Sequence, residues 1–247
     1  SIVLIVFGWL SGCNFRLAGK DWGVVFLLSL LRAVTSFSLI IAYQNIASGV
    51  ASTIHFMYPL AVALAMMFFF REKKSLLVIL AVLMSLLGAA LLSLGELEAK
   101  SGNTMVGLVA ACVSVFSYAG YIVGVRTTRA VQINSTALTC YVMGLGTIFY
   151  LIGAYCTSGL QLVSDGYTWL IILGLALPAT AISNITLVRA IKYAGPTLTS
   201  ILGAMEPLTA VVIGVFVFKE LFTVNSAVGI ILILLAVSIV VFRRQKS

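Results

Sequence analysis

A few polar residues stand inside long apolar runs, where a polar group is costly and therefore a candidate for function. Glu206 is the one carboxylate set well inside such a run, 197–218. Two readings of it stand side by side. It could carry a proton or meet a solute, since burial favours the protonated form of a carboxyl. It could equally be a fixed contact for backbone groups freed by Pro207. His55 is the single histidine. An imidazole can exchange a proton near neutral pH, or it can simply bond a neighbouring helix. Tyr58 follows three positions later, on the same helical face. Arg32, inside 22–46, could pair with an anionic solute or with Glu206, or run its stem to the membrane surface. Gln44, between Tyr43 and Asn45, ends that run. Asn184 lies on 167–191, a run interrupted by Pro178, and Tyr118 and Tyr121 share a face of 104–124. Amides and aromatic rings facing a cavity would suit a planar or amphipathic metabolite, although tyrosines near helix ends also serve as interface anchors. Pro59 and Pro207 cannot donate a helix hydrogen bond, so they should kink their helices and are the candidate bending points for gating.

This set makes a poor enzyme. One Glu and one His on non-adjacent runs give neither a nucleophile–base pair nor a carboxylate dyad. No catalytic residue is expected. Cys13, Cys112, Cys140 and Cys156 lie in or beside apolar runs without CxxC spacing. They read as small packing residues, with no disulfide, metal or cofactor implied. No GxxxxGK[ST] motif is present, so a nucleotide is not the expected energy source.

The elements that must position these residues follow from composition. Of 247 residues, 62% are hydrophobic and 9% charged, against about 25% charged in a soluble domain. Mean hydropathy is +1.17. Too few charges remain to cover a soluble surface, and long apolar runs exclude an outer-membrane barrel, whose strands alternate. An all-α integral membrane protein remains. Crossing ~30 Å of hydrocarbon takes roughly 20 apolar residues. Eight runs qualify: 22–46, 49–70, 75–94, 104–124, 135–157, 167–191, 197–218 and 225–242. A ninth, 2–12, reads as the tail of a helix whose start is missing.

The net charge of +8 belongs to membrane topology, not to nucleic-acid binding. Alternating the faces places Arg16, Lys20, Arg71, Lys73, Lys74, Arg126, Arg129, Lys192, Arg243, Arg244 and Lys246 on one side. The other side has Lys100 and Lys219 beside Glu96, Glu98, Asp165 and Glu220. The basic face should be cytoplasmic, and with it the C-terminus.

The chain also repeats itself. PLAVALAMMFFFREKKS at 59–75 aligns with PLTAVVIGVFVFKELFT at 207–223, an offset of 148 that pairs Pro59 with Pro207 and Glu72 with Glu220. Counting loops puts Glu72 and Glu220 on opposite faces, so the copies run in opposite senses. The expected domains are a first, N-terminally truncated repeat over 1–94 and a second, inverted one over 104–243. The parent would have five plus five helices. Inverted repeats can exchange conformations and so open a central site to each side in turn.

These features resemble the EamA family of the drug/metabolite transporter superfamily. The resemblance rests on Ala42 through Tyr58-Pro59 to Arg71-Glu72, and on Ala190 through Glu206-Pro207 to Lys219-Glu220. It rests also on the Gly-containing last helices at 75–94 (Gly88) and 225–242 (Gly229) and on the Arg32 opening of the third family helix. It implies ten helices in two inverted repeats, both termini inside, around a central cavity that moves small metabolites. The expectation is therefore a secondary transporter of the inner membrane, an exporter by alternating access. Its solute would be an amino acid, a nucleobase or nucleoside, or another metabolite, with proton coupling as one candidate driving force. The site would lie between 22–46, 49–70, 167–191 and 197–218, and the protein would act as a monomer or homodimer. The rivals are a membrane scaffold or regulatory protein and an intramembrane enzyme, neither of which transports.

Overall fold

The computed structural model describes residues 15–72, 75–93, 102–157, 165–175, 180–203, 205–217 and 223–245. Among these there is no strand. The helices are α1 (Trp22–Asn45), α2 (Ser48–His55), α3 (Tyr58–Phe69), α4 (Leu76–Ser93), α5 (Thr104–Thr127), α6 (Ser135–Thr157), α7 (Gly166–Leu175), α8 (Ser183–Ala194), α9 (Pro196–Gly203), α10 (Met205–Val217) and α11 (Val224–Gln245). Single 3-10 turns occupy Gly19–Asp21 and Arg129–Gln132. Run 2–12 lies outside the described residues.

Burial is distributed as a bilayer demands. The fully covered positions include many small residues, among them Ala42, Ala51, Ala81, Ala111, Ala236, Ser29 and Ser114. Phe68, Phe69, Leu76, Met105, Phe116 and Phe216 face outward. Water would not tolerate that surface, whereas lipid does, and small residues let helix backbones approach closely. Four buried hydroxyls bond back into their own helices: Ser29 to the Val25 carbonyl, Ser85 to Val82, Thr139 to Ser135 and Ser200 to Thr197. No buried partner from another element is then needed for them.

Among the described residues, four helical stretches are long and apolar enough to cross a membrane: Gly19–Asn45, Val50–Phe69, Thr104–Thr127 and Ser135–Gly153. Leu76–Leu91 and Ala227–Ile239 are apolar but shorter. Among the described residues one expected run is seen to be two helices. The run 49–70 divides into α2 and α3 at Phe56–Met57, ahead of Pro59 rather than at it. Pro restricts the residues before it and fits the first turn of a new helix, so Pro59 opens α3. In 197–218 the described helices are α9 and α10, with residue 204 between them outside the described residues and Pro207 in α10. In 167–191 they are α7 and α8, with a π turn at 180–182 leading into α8; residues 176–179, Pro178 among them, lie outside the described residues.

Helix starts recur at a fixed spacing. α9 begins 148 residues after α2, at Ser48 and Pro196, and α11 begins 148 after α4, at Leu76 and Val224. Two compact units can be distinguished, each drawing on both halves of the chain: 1–33 with 124–194, and 34–123 with 195–247.

In the second unit, α4 and α11 pack closely together. Their seam, with α3 and α9, holds Ala63, Met67, Val78, Ala81, Val82, Ile201 and Ala236. A smaller cluster of Ala42, Ile46, Ala51, Ala110 and Ala111 joins α1, α2 and α5. The end of α3 is bound by a Schellman-type turn: Arg71 adopts φ 54, and the Glu72 N–H returns to the Met66 carbonyl at 3.0 Å. Glycine usually takes that left-handed position. The turn brings the Glu72 carboxylate to the buried Thr197 hydroxyl, 2.6 Å away at the start of α9. Glu72, read from sequence as an interfacial group, thus also ties α3 to α9. Its repeat counterpart Glu220 lies outside the described residues.

In the first unit, α6 packs against α8 through Cys140, Ala181 and Ile185. Trp22 meets Tyr141 edge-on at 5.5 Å, and Phe26 meets Phe149 at 5.7 Å. α8 stops at Gly195, whose φ of 88 suits glycine best, and Pro196 at once begins α9.

Candidate functional site

The described contacts join the predicted residues into one cluster and one pair. The cluster lies in the second unit. His55 is the last residue of α2, at the helix break, and its ring stands 5.5 Å from Tyr58 and 5.4 Å from Tyr118. Tyr58 and Tyr118 meet edge-on at 4.7 Å, an attractive geometry for aromatic quadrupoles. Tyr121, one turn along α5, lies parallel to Tyr118 at 6.2 Å. Tyr58 and Tyr121 are buried, whereas His55 and Tyr118 are partly exposed. The arrangement is a rigid aromatic floor with an imidazole and a phenol at its open edge.

Two further residues shape this cluster. The Ser114 hydroxyl lies 3.0 Å from His55 Nδ1. Gly203, the repeat counterpart of His55, leaves room for the Tyr58 hydroxyl, since a Cβ there would fall 2.0 Å from that oxygen. Sequence reasoning missed Ser114. The signal was present, because 114, 118 and 121 recur at helical spacing on one face of α5, but many serines line these helices. The cluster thus draws on 104–124, a run not counted among the expected walls of the site, as well as on 49–70.

The pair lies in the first unit. Arg32 donates from Nη2 to Asn184 Oδ1 at 3.3 Å, and Asn184 Nδ2 donates to the Thr180 carbonyl at 2.7 Å in the π turn. Asn184 thus gives Arg32 an amide acceptor. π turns are frequent at functional sites because they loosen the regular ladder. Here Asn184 re-satisfies one freed carbonyl.

Gln44 and Glu206 lie on other elements. Gln44 is exposed near the end of α1. Glu206 is also exposed, in the first turn of α10. A carboxylate in a helix's first turn complements the partial positive charge there.

A buried amine was counted from sequence only as one basic loop residue. Lys192, just past the apolar run 167–191, is 8% exposed. Its Nζ donates to the Ile133 carbonyl, while Arg126 Nη1 donates to the Lys192 carbonyl at 2.6 Å. Burial holds its pKa down at about 8, from an ordinary 10.5. In that window the unfolded chain binds more protons than the folded one, so stability should rise with pH between those values. Thermal melting in detergent should show this rise in the wild type, and Lys192→Met should flatten it.

Comparison with known proteins places this geometry. The sequence matches the EamA-like transporter family over residues 1–94 and 105–242. The chain belongs to the EamA-like transporter family. It is 28% identical over 238 residues to an uncharacterized transporter of Archaeoglobus fulgidus, covering 95% of this chain and 83% of that one. A crystal structure of a protein 19% identical in sequence shares the fold, with a TM-score of 0.82 over 100% of this chain and 85% of the other. This EamA-like protein is accordingly a multi-pass membrane transporter with a small-molecule solute. Its family points to transport rather than to catalysis.

Proposed function

We propose that this EamA-like protein is a secondary transporter of the inner membrane that exports small metabolites by alternating access. On this reading two inverted repeats, over 1–94 and 104–243, work around a central cavity. The C-terminus is cytoplasmic, and a gradient or solute exchange provides the drive. The grouping of partly exposed His55 and Tyr118 over buried Tyr58 and Tyr121, beside a helix break, carries the assignment of the solute site. An imidazole set among aromatic faces offers one polar anchor and a flat apolar wall, which suits amino acids or nucleobases. The recurrence of helix boundaries at 148 residues supports the repeat. The excess of basic residues on one set of loops supports the orientation. Arg32 and Asn184, Pro59 and Pro207 belong to the moving parts in this scheme, and Glu206 is the candidate for proton coupling.

Counterflow into proteoliposomes tests this, with a panel of amino acids, nucleobases and cationic drugs. His55→Ala should lower flux of the carried solutes about tenfold, the effect of losing one hydrogen bond to an ionisable group. Wild-type flux in both His55→Ala and Glu206→Gln would refute the site. Flux indifferent to pH would remove coupling through Glu206. No flux of any solute would favour a scaffold.

A further inference from the structure

One side-chain bond joins the end of α3 to the start of α9. The Thr197 hydroxyl donates to Glu72 Oε2 at 2.6 Å, a length typical of a hydroxyl bound to a carboxylate. The backbone places both partners. The left-handed turn at Arg71 folds the chain back onto α3 and presents Glu72. The turn at Gly195, with Pro196 opening α9, sets Thr197 in the first turn of that helix. A carboxylate there also meets the partial positive charge of a helix N-terminus.

On the repeat reading Glu72 belongs to the first repeat and Thr197 to the second, so the bond crosses between them at the cytoplasmic face. The offset of 148 pairs Glu72 with Glu220 and Thr197 with Gly49. Glycine has no hydroxyl to donate. Inversion puts that second pair at the outer face. The inner end thus carries a tie that the outer end cannot form from the same positions. Where two repeats exchange conformations, a contact available to one end and not to its mate makes the two access states unequal in energy.

The surroundings suit a tie that opens. Glu72 is exposed, so water replaces Thr197 as soon as the two part. Thr197 is 5% exposed, and its hydroxyl gains water when the helix ends separate. Among the described helices, α9 has its widest packing against α3. Their shared seam is apolar, with Ala63, Met67 and Ile201.

We propose that Glu72 and Thr197 form a cytoplasmic latch, which holds the inner ends of α3 and α9 together and biases the transporter toward the state open to the outside. The proposal rests on the transport reading above and adds what sets the resting state.

Thiol access from each face tests the latch without knowledge of the solute. Tyr118→Cys, in the full chain with Cys13, Cys112, Cys140 and Cys156 replaced by alanine, puts a single thiol in the His55 cluster. A charged, membrane-impermeant maleimide is applied to the cytoplasmic or the outer face of sealed vesicles. With the latch intact, labelling should be faster from the outer face. Thr197→Val, which keeps the shape and removes the hydroxyl, should raise labelling from the cytoplasmic face several-fold and lower it from the outer face. Thr197→Ser should restore the original pattern. Glu72→Ala breaks the same bond from an exposed position and should act alike. The double variant should go no further than either single one, since both remove one interaction. Unchanged labelling in Thr197→Val and Glu72→Ala, a rise from both faces together, or additive effects in the double variant overturns the latch. A thiol that labels from neither face in every variant would instead refute the site reading, and with it the cavity that the latch closes.

Discussion

Gly203→Ala is expected to dislodge Tyr58 and to cut transport by about tenfold or more. The added Cβ would lie 2.0 Å from the Tyr58 hydroxyl oxygen and 3.3 Å from its Cζ. Tyr58 cannot easily turn aside. It is 3% exposed, and Tyr118 stands edge-on to it at 4.7 Å. Either the ring leaves its place beside His55 or α9 moves away. Overpacking of this kind costs about 1–3 kcal/mol, and ~1.4 kcal/mol is a tenfold change in an equilibrium. The clash is specific to one atom, so Tyr58→Phe should relieve it. The double variant Gly203→Ala with Tyr58→Phe should recover most of the activity lost by Gly203→Ala alone, a coupling that a double-mutant cycle reads directly. Equal flux in Gly203→Ala and the wild type would show that Tyr58 does not occupy this position.

Gly88→Ala should destabilise the protein, against the ordinary preference of helices. Alanine in place of glycine within a helix favours it by about 1 kcal/mol. At Gly88 the new Cβ would fall 2.7 Å from the Gly229 carbonyl oxygen and 2.7 Å from Ile233 Cγ1. The first of these is backbone and cannot rotate away, so α4 and α11 must separate along their seam. The cost of that separation, about 1–3 kcal/mol, exceeds the gain in propensity. Gly88→Val should be worse still. Unlike the Gly203 case, trimming the facing side chain with Ile233→Ala should not rescue Gly88→Ala, because the carbonyl remains. Thermal melting in detergent gives the answer, and a midpoint at or above that of the wild type would refute the packing.

Much of the architecture was readable from residue types. Apolar run lengths located the helices. The offset of 148 is also the spacing between the starts of α2 and α9 and of α4 and α11. What escaped depends on tertiary contact. The break falls at Phe56–Met57 because Pro59 suits a helix's first turn, which a hydropathy run does not register. Gly203 was noticed only as the counterpart of His55, and its reason for being glycine is the Tyr58 hydroxyl from another helix. Ser114 matters through its contact with His55, and Lys192 through the Ile133 carbonyl of a neighbouring turn. Neither relation leaves a mark in local sequence.

The break that ends α2 has a consequence for how the molecule comes apart. Phe56 and Met57 form a turn between α2 and α3 rather than a continuous helix, so opening there costs less than in the unbroken helices α1 and α5. The first region to give way under stress is then the one beside His55, and a bound solute would act as its splint.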